Sequence, residues 1–176
     1  MLTPDELVGA LDALDVPFLV GGVQNATASA LAPAELFAGL AQSSEARVRS
    51  AIIPLLLRHP ELADAARTAA ARLPDDSRQT LELFYTAALL LQRKYAERLA
   101  PLFGAQPVLP DLFSKSLGLR LTQDPAESLQ RLAKRHAQLT GLDLNWIATY
   151  EHAAERLIKH FENQERWAHS DQTHSR

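Results

Sequence analysis

Along most of the chain, apolar residues recur at three- and four-residue steps, and prolines, glycines and serine pairs cut that rhythm into segments. Leu7, Val8, Leu11 and Leu14 form one stripe. It follows Thr3-Pro4 and Glu6, a cap, a first-turn proline and a capping-box glutamate, so a helix over about 4–14 is predicted. Pro33 opens a second helix that Ser43-Ser44 break, and Ser44 with Glu45 suits the start of a third. In the third, Val48, Ala51, Ile52, Leu55 and Leu56 make a buried face, and Pro54 removes one backbone donor and should bend it. Pro60 starts a fourth helix with an alanine-rich face: Ala65, Ala66, Ala69 and Ala70 between Leu62 and Leu73.

After Pro74-Asp75-Asp76-Ser77, a long helix is predicted over roughly 77–103. Its apolar residues, from Leu81 to Leu91, spread around most of the circumference, the mark of a central helix covered on several sides. Residues 105–110 hold two prolines and read as a loop, 111–119 as a short helix, and 125–140 as a helix stopped by Gly141. A last helix is predicted over about 144–165, with Trp146, Ile147, Tyr150, Ala154, Leu157, Ile158 and Phe161 on one stripe. One run has strand character, Val16-Pro17-Phe18-Leu19-Val20, ended by Gly21-Gly22. Without a partner strand it is expected to be a buried extended segment or an edge that pairs with another chain.

These segments amount to an all-α fold of about seven helices, a helical bundle or short helical array. Residues 1–167 read as a single domain and 168–176 as a disordered, wholly polar tail. Composition agrees: 47% of residues are hydrophobic but only 6% aromatic, and the remainder leans on Ala and Leu, the strong helix formers. The absence of cysteine removes disulfide, thiolate and cysteine–metal chemistry and fits a reducing compartment. With no signal-peptide pattern and no apolar run of spanning length, a cytoplasmic protein without a membrane segment is expected. A net charge of −3 gives no overall attraction to nucleic acid.

Residues 35–57 resemble a HEAT-type helical repeat. The matching pieces are Leu36 and Leu40, the polar turn Ser43-Ser44-Glu45, Arg47-Val48-Arg49, then Ala51-Ile52 and Leu55-Leu56. A poorer second copy aligns Arg78 with Arg47 and reaches to about residue 100. Such repeats mostly serve as binding surfaces, so the resemblance implies a partner-binding module. The opening, Glu6-Leu7-Val8 through Gly21-Gly22, is similar to the first helix and strand of nucleotidyltransferase-fold proteins. No acidic pair follows Gly22, however, so the magnesium chemistry of that family lacks its ligands.

Candidate chemistry is sparse. His152 and His160 share a face of the last helix but lie about 12 Å apart along its axis, too far for one metal ion. Arg131 and His136 resemble the arginine–histidine pair of HEPN ribonucleases, which implies phosphate stabilisation by the arginine and proton transfer by the histidine. The chain departs from that pattern at Leu132, where the family has a polar residue. Arg131, Lys134, Arg135 and His136, with Arg120 nearby, form the densest basic cluster, read chiefly as a solvated helix face. The reading that results is a non-catalytic protein-binding module, adaptor or regulatory, with no cofactor and no metal site. Its expected partner is another protein or a second copy of itself. Partner-contact candidates are Phe18, Val20, Arg131, Lys134 and Arg135. The alternatives are the ribonuclease using Arg131 and His136, or nucleic-acid binding through the basic cluster.

Overall fold

The computed structural model describes residues 2–18 and 31–173. Among these residues every regular element is a helix, so the fold is all-α. The first helix, α1 (Pro4–Ala13), starts with the expected capping box: Glu6 N–H donates to Thr3 Oγ1 at 3.2 Å, and Thr3 N–H to the Glu6 carboxylate at 2.7 Å. It buries Leu7, Ala10 and Leu11 against α2 (Pro33–Gln42). Gly39 makes that approach possible. A Cβ there would sit 2.6 Å from Leu7 Cδ2 and 2.9 Å from Leu2 Cδ1. Beyond α1, Val16 is buried, its N–H bonded to Leu11 O, and Phe18 packs half-buried on the core. The first part of the strand-like run thus serves the protein's own interior. Val20 lies outside the described residues.

The predicted third helix is two, α3 (Ala46–Ser50) and α4 (Ile52–Arg58), interrupted at Ala51. Pro54 explains the break, because its ring crowds the carbonyl four residues back, that of Ser50, which then has no amide to accept from. All six residues from Ile52 to Leu57 are buried, and α4 packs most extensively on α6 (Asp75–Lys94). Each fully buried Leu or Ile contributes roughly 1.5–3 kcal/mol relative to exposure, so α4 and α6 supply much of the core. A single 3-10 turn, Pro60–Leu62, leads into α5 (Ala63–Arg72). The small buried face of α5, Ala63, Ala66, Ala69 and Ala70, lies against α2 and α6.

The expected helix over 77–103 is also broken. After α6, Tyr95 (φ −103°, ψ 19°) turns the chain into α7 (Ala96–Phe103). The fully buried apolar run stops at Leu91, and beyond Tyr95 the chain returns Leu99 to the core. Residues 111–119 form successive turns rather than a helix. Asp111 accepts from both the amide (3.1 Å) and the hydroxyl (2.5 Å) of Ser114, and Gly118, at φ 70°, ends the turn in a left-handed conformation that glycine adopts freely. Next comes α8 (Pro125–Thr140), capped by the Asp124 carboxylate on Ala126 N–H and stopped by Gly141 at φ 69°.

The final helix, α9 (Trp146–Thr173), continues through residues 168–173, where the sequence reading places a disordered tail. It is tied to α6 and α7 by ion pairs. Lys94 meets Glu151, and Arg98 spans Glu155 at 2.5 Å and Glu162 at 3.2 Å. Between α7 and α9, the Arg58 guanidinium lies 4.7 Å above the Phe103 ring of α7 and 5.2 Å above Phe161 of α9. No described helix is long and apolar enough to cross a membrane.

Candidate functional site

Where α2 ends and α6 begins, the bundle leaves a cleft of about 410 Å³. Four elements build it. The α2–α3 turn contributes Ala41, Ser43, Ala46 and Arg49, and the start of α6 contributes Asp76, Ser77 and Thr80. The end of α8 supplies His136 and Thr140, and the loop into α9 with that helix's first turn supplies Leu142, Leu144, Trp146 and Thr149.

Its floor is an aromatic stack. Trp146 lies flat on the His136 imidazole, with ring centroids 3.5 Å apart and planes within 10°. Phe84 meets the same imidazole edge-on at 5.5 Å, and Nδ1 of His136 shares a 2.6 Å hydrogen bond with the Tyr150 hydroxyl. Only 3% of His136 is exposed. Burial, with a smaller contribution from the Arg49 charge, pulls its pKa down to about 4, so the ring is neutral at physiological pH. Burial also pushes the Tyr150 hydroxyl well above its ordinary range. Among the described residues the hydrogen-bond partner of His136 is the Tyr150 hydroxyl, and no carboxylate pairs with the imidazole.

The walls are set by local bonding. Arg49 Nη1 donates to Ser43 O at 2.8 Å and so closes the polar turn between α2 and α3. Asn145 caps the first turn of α9 through the Ala148 amide, and the Trp146 indole N–H donates to Leu142 O. These two bonds hold the loop bearing Leu142 and Leu144 over the cleft. Both leucines remain about half exposed, at 52% and 54%.

The Arg131 and His136 side chains are engaged separately. Arg131 is exposed, donating to Glu127 at 2.9 Å and to Arg120 O at 3.4 Å, while His136 faces the core. The basic cluster likewise divides. Arg135 Nε donates to Leu117 O at 2.8 Å, so it and Arg131 fasten the preceding loop to α8, and Lys134 alone stays simply exposed. Reading His136 as part of a solvated face is therefore corrected. It occupies the buried stripe with Ser128, Leu129 and Leu132. The signal was in the spacing, since His136 follows Leu132 by four residues and Leu129 by seven. Arg49 and Trp146 each belonged to a local pattern, the HEAT-like turn and the apolar stripe of the last helix, whereas the cleft joins elements distant in sequence and left none. Among the described residues no three His, Asp or Glu side chains are grouped to hold a metal ion.

Compared with protein-family models, with curated proteins and with solved structures, the chain matches none of them.

Proposed function

We propose that this protein is a non-catalytic helical binding module that receives a partner protein at the mouth of the His136 cleft. The observation that carries the reading is the pair Leu142 and Leu144, held half exposed by the Asn145 cap and the Trp146 indole bond beside an open, partly apolar cavity. Exposed apolar residues fixed in place around a concavity are typical of recognition surfaces. The floor supports binding over reaction, because its one imidazole is neutral, stacked and bonded to a phenol that does not ionise at physiological pH. The resemblance of residues 35–57 to a HEAT-type unit belongs to the same reading, and the turn closed by Arg49 onto Ser43 supports it.

The test is affinity capture from the native cells with the wild-type chain and with Leu144→Asp, after circular dichroism has shown both to be folded. Captured proteins are then purified and recombined with each chain. A complex reconstituted with the wild type and weakened at least about tenfold by Leu144→Asp supports the proposal. Equal binding by both chains, or no reconstituted complex, refutes it.

A further inference from the structure

The lining of the cleft is chemically divided. Ala41, Ala46, Leu142, Leu144 and Trp146 contribute apolar lining, and Arg49, Ser77, Thr80 and Thr149 contribute polar lining. Arg49 is half-buried, and its one hydrogen bond, to Ser43 O, leaves most of its five donors unused. Among the described residues no carboxylate forms an ion pair with it. Asp76 also lines the cleft but is exposed to solvent, which screens it more than the half-buried guanidinium. A partly desolvated, unpaired guanidinium in a cavity with apolar lining is complementary to an anion that carries an apolar body. We propose that the cleft binds a small organic carboxylate, with its charged end on Arg49 and its apolar body against Leu142, Leu144 and Trp146.

The volume fits, since about 410 Å³ lies within the range of small-molecule sites. The fork of the guanidinium matches a carboxylate in two parallel hydrogen bonds, a geometry that neither an amide nor an alcohol reproduces. The apolar body would cover the two leucines that water now covers. Ligand and floor are coupled as well. Arg49 is the one charge that acts on His136, so an anion on Arg49 offsets that repulsion and makes the imidazole easier to protonate. This inference rests on reading the cleft as a binding site and does not require a protein partner.

Phenylacetate and its uncharged counterpart phenylacetamide are the probes, titrated at neutral pH against the full chain. The readouts are the Trp146 indole N–H and the His136 ring resonances. Trp167→Phe, at a residue 73% exposed, leaves Trp146 as the sole indole. Saturable shifts at Trp146, with the acid binding at least about tenfold more tightly than the amide, are expected. Arg49→Gln, checked for an intact amide spectrum, should bring the two compounds to equal affinity, and saturating phenylacetate should raise the His136 titration midpoint in the wild type. Equal binding of acid and amide by the wild type overturns the ligand class and leaves the cleft a binding surface. Persistence of the acid preference in Arg49→Gln overturns the role of Arg49. No shift with either compound overturns the inference outright, whereas the partner reading falls only to the reconstitution experiment above.

Discussion

Lowering the pH should destabilise this protein through His136. The imidazole is 3% exposed and titrates near 4 when folded, against about 6.5 in an unfolded chain. As pH falls through 6.5 the unfolded chain takes up a proton that the folded chain refuses, so stability declines. The decline ends near pH 4, where the folded ring is protonated too. A displacement of this size corresponds to roughly 3 kcal/mol lost between neutral pH and pH 4, a large share of a typical domain's margin. Other groups titrate in the same interval, so the measurement is a difference. His136→Gln keeps a neutral partner for the Tyr150 hydroxyl but cannot be protonated. Urea unfolding of both chains at several pH values from 7.5 to 4 should show the wild type losing about 3 kcal/mol more than the variant. A difference that stays constant with pH, or a His136 ring resonance titrating near 6.5, would refute the reasoning.

Gly39→Val places a branched side chain against Leu7 and Leu2 and should cost about 1–3 kcal/mol in denaturant unfolding, with α1 losing amide protection first. Arg98→Ala removes the ties to Glu155 and Glu162. The expected loss is only about 1 kcal/mol because the pairs are partly solvated, accompanied by faster hydrogen exchange along residues 162–173. Tyr85→Phe deletes the 2.8 Å bond from its hydroxyl to Pro110 O. Thermal unfolding should register about 1 kcal/mol, and exchange should quicken around residues 107–113.

The helices were legible wherever local rules act alone. Thr3, Pro33, Asp124 and Gly141 mark their boundaries through capping and φ preferences that need no tertiary information, while Pro60 opens a 3-10 turn and α5 starts three residues later. Breaks inside helices were harder. Pro54 announced a bend, and the chain takes it three residues earlier at Ala51, but nothing around Tyr95 signals the turn between α6 and α7. Residues 111–119 read as a short helix, and they form turns that Gly118, at φ 70°, ends. Among candidate site residues, the basic side chains of α8 could be placed on its surface. Their bonds to Leu117 O and Arg120 O could not, because the acceptors belong to an irregular loop. His136 was misjudged for a related reason. A histidine in an apolar stripe is buried only if something receives its ring, and Trp146 and Tyr150 arrive from another helix.

Residues 104–124 cross the bundle without a helix, yet they are not loosely attached. Gln92 and Tyr85 on α6 grip Pro107 O and Pro110 O, and Arg131 and Arg135 on α8 grip Arg120 O and Leu117 O. Every one of these grips closes on a main-chain carbonyl, an atom that all twenty amino acids carry. Substitution within the strap is therefore cheap at its outward positions, whereas a one-residue insertion or deletion shifts the carbonyls out of reach of their clasps. Related chains should vary freely in the spelling of this segment and hardly at all in its length.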